Sequence, residues 1–220
     1  MSSQKGNREL RQPPPDPLRS VFTPEVLQRW RGASQHSEEL GFRVKVIEAC
    51  GPYPSDPNRA DEVRFLRAHK AAWETYLFSA YACGMFETRG TDLLARLRGV
   101  GSDGFRSAMA ECMACWFLAA RMKFPVDPCA RGRNGRNLDL QITAEEGDIG
   151  VEVKAPLRDV PMPQPGEHTA CWWGDDSDKI AQCLEAANKQ FDDDRANLLV
   201  IAPRLRTRLW SHRHDLVKAA

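Results

Sequence analysis

Asp139, Glu152 and Lys154 could together perform metal-assisted chemistry, because their spacing brings two acids and an amine to one place. Leu138, Leu140 and Ile142 alternate with Asn137, Asp139, Gln141 and Thr143. After Glu146-Gly147, the residues Ile149, Val151 and Val153 alternate with Asp148, Gly150, Glu152 and Lys154. Both period-two patterns predict extended segments. A hairpin closed over Ala144 to Gly147 sets Thr143 against Asp148, and the same register carries Asp139 opposite Glu152. Directly opposed side chains have β-carbons about 4.5 to 5.5 Å apart, and two carboxylates at that spacing repel unless a positive charge lies between them. A divalent cation is the simplest remedy. Lys154 shares the face of Glu152, so its ammonium can hold a nucleophilic water or a phosphate oxygen at the same point.

Glu111 adds a third carboxylate. It is the only acidic or basic residue between Arg106 and Arg121, in a helical stretch where Ala108, Ala114, Cys115 and Leu118 are small or apolar. A carboxylate on such a face is costly unless it is paired or binds a metal, and an ion pair with Arg106 or Arg121 is the competing role. Hard oxygen ligands favour Mg²⁺ or Mn²⁺ over Zn²⁺, and such an ion suits phosphodiester hydrolysis because it offsets phosphate charge and activates water. The plainer alternative for Glu152 and Lys154 is an ion pair on a solvated sheet face.

The elements that must position these residues follow in order. A long apolar helix runs from Gly104 to about Met122, followed by Pro125, Pro128 and a loop from Cys129 to Arg136. The two alternating strands come next, then a proline-rich loop from Pro156 to Pro165. A helix is expected at Ser177 to Phe191, with Ile180, Leu184, Ala187 and Phe191 on one face. Leu198 to Ile201 reads as a buried strand, and Arg204 to Ala220 as a basic helical tail. A helix with Glu111, a strand with Asp139, a strand with Glu152-Val153-Lys154, a helix and an apolar strand resemble the PD-(D/E)xK nuclease superfamily over about Gly104 to Pro203. The resemblance implies an α/β, restriction-endonuclease-like core. It also implies a Mg²⁺-dependent nuclease, most simply a DNA endonuclease, in which Asp139 and Glu152 bind the metal, Lys154 assists the attacking water and Glu111 completes the site. The helix around Gln182, Lys189 and Gln190 is similar to the one that follows this motif in many members. Leu138 stands where the family name has proline.

Upstream, Met1 to Ser20 carries Pro13, Pro14, Pro15 and Pro17 and reads as a flexible arm. Residues 21–103 read as mainly helical, with a helix start at Thr23-Pro24-Glu25, a long helix from about Asn58 to Phe86 and a short one at Thr91 to Leu97. Residues 104–220 would form the nuclease-like core. Thirty-one Lys and Arg against thirty Asp and Glu give a net charge of +1 over 220 residues, so attraction of a polyanion by overall charge is excluded and any nucleic-acid contact must be local. Arg131, Arg133 and Arg136, leading into the Asp139 strand, are candidate phosphate contacts together with Lys189. Trp172 and Trp173 could stack on bases, but tryptophan defaults to core packing; His212 and His214 follow in the basic tail. Seven scattered cysteines, Cys112-x-x-Cys115 included, read as reduced core residues. No apolar stretch reaches the length of a membrane span and the start lacks a signal core, so a cytoplasmic location is expected. A homodimer or a partner protein stays open, and the alternatives to a nuclease are a non-hydrolytic nucleic-acid or protein binding module and a small-molecule hydrolase.

Overall fold

A computed structural model describes residues 12–51, 55–128, 130–131, 137–155, 157–158, 177–191, 196–202 and 204–205. The chain opens with α1 (Pro17–Val21), whose first turn is capped by Asp16, its side chain accepting from the Arg19 amide at 2.8 Å. This corrects the expectation of an arm as far as residue 20: Leu18 and Val21 are buried, because a proline at the first helical position and a capping acid suffice to start a helix that seats them. Next come α2 (Pro24–Ala33), α3 (Glu38–Glu48) and the long α4 (Pro57–Ala82), followed by α5 (Met85–Thr88), α6 (Gly90–Arg98) and α7 (Ser102–Trp116). The turn from α4 into α5 uses Gly84 at φ 81°, a backbone state that favours glycine. An aromatic cluster of Phe22, Trp30, Trp73 and Phe105 ties α2, α4 and α7 together, with ring centroids 5.3 to 6.3 Å apart.

Beyond α7 the helix loosens into one π-type turn, Phe117–Arg121, and the remaining elements are mostly strands. They are β1 (Val126–Asp127), β2 (Ala130–Arg131), β3 (Asn137–Leu138), β4 (Leu140–Ile142), β5 (Ile149–Lys154), β6 (Leu157–Arg158), the helix α8 (Ser177–Asn188), β7 (Ala196–Ile201) and β8 (Arg204–Leu205). Four of them make one mixed sheet in the spatial order β1-β4-β5-β7, antiparallel up to β5 and parallel between β5 and β7. The protein is thus α/β, mostly helical with a small mixed sheet. The hairpin between β4 and β5 pairs Leu140 with Val151, Gln141 with Gly150 and Ile142 with Ile149, the register read from the alternation. Its turn closes through the Gly147 amide donating to the Ala144 carbonyl, with Gly147 at φ 133°.

Leu140, Ile142, Val151 and Val153 are buried in the same cluster as the helical core, and Leu198 and Val200 of β7 pack against it. One sheet face therefore rests on the helical layer, and the alternation leaves Glu152 and Lys154 on the other. Three expectations change. The strand around Asp139 is not continuous: Asp139 is a bend between β3, which pairs with β2, and β4. On α8 the buried residues are Cys183 and Ala187, whereas Ile180 and Leu184 are exposed; β7 is only half-buried. Arg204–Leu205 pairs in parallel with β6 as a strand instead of starting a helix, and residues 206–220 lie outside the described residues. Among the described residues no helix is long and apolar enough to cross a membrane.

Because Leu140 is fully buried beside Val151 and sits next to Asp139, Leu140→Ala is expected to lower stability by about 2 to 5 kcal/mol, the usual cost of a large-to-small change in a packed core, measurable by urea titration.

Candidate active site

The hairpin register and the bend at Asp139 bring the first two acids together. Asp139 and Glu152 are both buried, at 9% and 3% exposure. The amide of Val153, the next residue along β5, donates to Asp139 Oδ2 at 2.8 Å, so Asp139 closes the end of the β4–β5 ladder with its side chain. Glu152 Oε1 accepts from Lys154 Nζ. Its other oxygen, Oε2, is buried and has no hydrogen-bond partner among the described residues. A buried carboxylate oxygen left unpaired is costly in a protein interior, and it is the kind of acceptor that a cation satisfies. Burial first, and then the charge of Asp139, push the Glu152 carboxyl above its ordinary range; Lys154 pulls the other way.

Glu111 lies on α7 among Ala108, Cys112 and Cys115, all buried, and is itself 3% exposed. Its counter-charges are not Arg106 or Arg121: Arg106 pairs with Glu39, and Arg121 is exposed. Instead Arg96 of α6 holds it in a fork, Nη1 to Oε1 at 2.5 Å and Nη2 to Oε2 at 3.0 Å. Arg89, in the junction between α5 and α6, adds Nη1 at 3.3 Å from Oε2. Burial pushes the Glu111 carboxyl up while Arg96 and Arg89 pull it down, and Arg96 is itself held above its ordinary value by Glu111 despite its own burial. These directions oppose each other over the charge of Glu111. The fork decides for the ionised pair, because a protonated carboxyl would turn an O–H donor toward N–H donors.

Arg89 also joins Glu111 to Asp139. Its Nη1 lies 3.2 Å from Asp139 Oδ1 and 3.2 Å from the Asp139 carbonyl oxygen. Neither Arg89 nor Arg96 stood out in the sequence, where both lie in ordinary helical text. The one available signal was indirect: a buried Glu111 demands a cation, and only tertiary packing says which helix supplies it.

The fit to a hard dication follows from these contacts. Mg²⁺ keeps several waters and is commonly held by one or two carboxylates; the Glu152 oxygen without a partner among the described residues and the neighbouring Asp139, whose oxygens accept from one backbone amide and one arginine nitrogen, make such a pair. Glu111, expected as a third ligand, has both oxygens engaged by arginine because its burial requires a counter-charge on the spot. Among the described residues no group of three or more His, Cys, Asp or Glu side chains is arranged to hold a metal ion. Of the basic residues expected to meet phosphate, Lys189 is exposed just beyond α8, Arg131 falls in β2, and Arg133 and Arg136 lie outside the described residues. Trp172, Trp173, His212 and His214 lie outside them as well. Cys112 and Cys115 are buried, and burial raises the Cys112 thiol. In comparisons with known proteins, no family model, curated protein or solved structure matches the chain.

A carboxyl whose value is raised on folding costs stability as pH climbs from the ordinary carboxylate range through that raised value. Glu152→Gln is therefore expected to stabilise the metal-free protein at neutral pH by about 0.5 to 2 kcal/mol, typical of relieving a functional site. The advantage should shrink toward zero below the ordinary carboxylate range, where Glu152 is neutral in both states; denaturant melts at the two pH values check the sign.

Proposed function

We propose that the protein is a Mg²⁺-dependent nuclease acting on DNA phosphodiesters, with Asp139, Glu152 and Lys154 at its centre. The observation that carries the reading is the buried Oε2 of Glu152, unpaired among the described residues, next to Asp139 and on the strand that bears Lys154. Further support comes from the order of elements around them: α7 before the sheet, the antiparallel β4–β5 hairpin, α8, and β7 parallel to β5. That order is similar to a restriction-endonuclease-like core.

Asp139 and Glu152 would hold the ion. A bound Mg²⁺ supplies charge to offset the phosphodiester and lowers the pKa of a bound water. Lys154 has three N–H donors, of which one is given to Glu152 Oε1, and among the described residues the others are left to orient an attacking water or a phosphate oxygen. The Val153 amide and Arg89 fix the Asp139 carboxylate in place, and Arg96 keeps Glu111 ionised beside it. Glu111 in this reading shapes the field of the site and does not bind the ion.

A second reading, a binding module that keeps the architecture without hydrolysis, draws on the arginines: Arg89 and Arg96 neutralise two of the three acids without any ion.

Incubation of supercoiled plasmid with the full chain in Mg²⁺ or in EDTA separates the two. Cleavage should require Mg²⁺ and fall to the EDTA level in Asp139→Asn, which keeps an oxygen for the Val153 amide. Lys154→Met should lower the rate by about 10²-fold or more, the usual weight of a group that moves or holds a proton. Plasmid retained but uncut by wild type in Mg²⁺ would defeat the enzyme and favour the module.

A further inference from the structure

The three buried acids already have counter-charges. Arg89, Arg96 and Lys154 touch Glu111, Asp139 and Glu152, and Arg96 is shared with the exposed Asp92. A dication entering this set meets cations already in contact with its ligands, and one of them stands in its way. Lys154 does not, since among the described residues Glu152 keeps its second oxygen unpaired. Arg96 does not, since its contacts in the cluster are to Glu111. At Asp139 the situation differs. Oδ2 accepts from the Val153 amide at 2.8 Å, which ties that oxygen to the strand, whereas Oδ1 is held by a side chain that can move, Arg89, whose Nη1 sits 3.2 Å from it. The same nitrogen is 3.2 Å from the Asp139 carbonyl and 3.3 Å from Glu111 Oε2. Its side chain is 21% exposed, so solvent reaches it and it is not sealed in the core.

Resting on the metal reading above, we infer that Arg89 is an internal counter-ion that competes with the dication for Asp139 Oδ1. In the metal-free protein it holds Asp139 and Glu111 together against their repulsion; when the ion binds, that oxygen must be shared or surrendered. Arg89 is thus a positioning residue that sets how tightly the free protein takes metal. A purely structural arginine would do the opposite, since its loss would loosen the two acids and weaken ion binding.

The test is Mn²⁺ binding to the full chain, with free Mn²⁺ counted by electron paramagnetic resonance, in wild type, Arg89→Gln, Arg89→Lys and Asp139→Asn. Glutamine keeps a donor for Asp139 without the charge; lysine keeps the charge. Arg89→Gln is expected to bind Mn²⁺ at least about tenfold more tightly than wild type, as removal of a like charge in contact with a ligand oxygen implies, and Arg89→Lys to stay within about threefold of it. Where Arg89→Gln is too unstable to titrate, Mn²⁺ should raise its thermal midpoint by more than it raises that of wild type. Binding by Arg89→Gln no tighter than wild type, a midpoint shift no larger than wild type's, or Arg89→Lys as tight as Arg89→Gln, would overturn the competition while Asp139-dependent binding in wild type left the metal reading standing. Mn²⁺ uptake that Asp139→Asn does not weaken would sink both.

Discussion

Three buried carboxylates, two of them joined through Arg89, are the constraint around which the described part of this molecule is arranged. Glu111 comes from the helical layer, Asp139 from a bend at the start of β4 and Glu152 from the middle of β5, and each is at most 9% exposed. Left to themselves they would repel through an interior that screens poorly. The fold answers with cations from two directions. Lys154 arrives on the strand of Glu152, two residues along, as the pleat requires. Arg89 and Arg96 arrive from the segment that enters and forms α6, which packs on α7. The helical layer therefore has a second role besides burying the sheet: it carries the positive charge that lets Glu111 and Asp139 coexist.

Gly84 and the short α5 acquire their meaning from this demand. The left-handed turn at Gly84 ends α4 and redirects the chain, and four helical residues later Arg89 is delivered to the acids. Elsewhere the same layer solves a similar problem without leaving an orphan oxygen. Glu39 accepts from Arg43 and Arg106, and Arg43 lies over the Phe105 ring at 4.0 Å, so its guanidinium is offset by one acid and an aromatic face. Burial lowers the Arg43 value and Glu39 resists that. Arg43 Nε and Glu152 Oε2 are the two buried side-chain polar atoms without a hydrogen-bond partner among the described residues, and they differ in kind: the first is a donor on a guanidinium whose other nitrogens are engaged, the second an acceptor.

How far all this could be read in advance depended on the range of the interaction. The alternation of apolar and polar residues on both sides of Ala144 to Gly147 carries the β4–β5 register, because pairing across a short turn is a local problem and a slip by one residue would expose Val151 and Val153. The helix with Glu111, the long α4 and the strand at Leu198 to Ile201 were legible for the same reason. Three things were not. The break at Asp139 depends on where its side chain finds the Val153 amide, a contact fourteen residues away. The exposed Ile180 and Leu184 of α8 show that an apolar stripe does not say which of its residues a small sheet can cover. The partners of Glu111 come from fifteen and twenty-two residues upstream on a different helix and a connecting turn, so no spacing rule for a single helix reveals them.

The oxygen of Glu152 that lacks a partner among the described residues also bears on what the arrangement costs the fold. A purely structural site would be better served by an amide or an apolar side chain at that position, since a buried charge contributes stability only when its hydrogen bonds are complete. Asp139 differs, because its two oxygens already serve the Val153 amide and Arg89 and hold the strand end in place. The site thus joins one carboxylate that is useful to the fold with one that is a burden to it. Buried, perturbed ionisable groups occur in structural ion-pair networks as well as at binding sites; on the metal reading proposed above, the burden that Glu152 places on the fold is offset when a cation meets its second oxygen, while Lys154 holds the first in place.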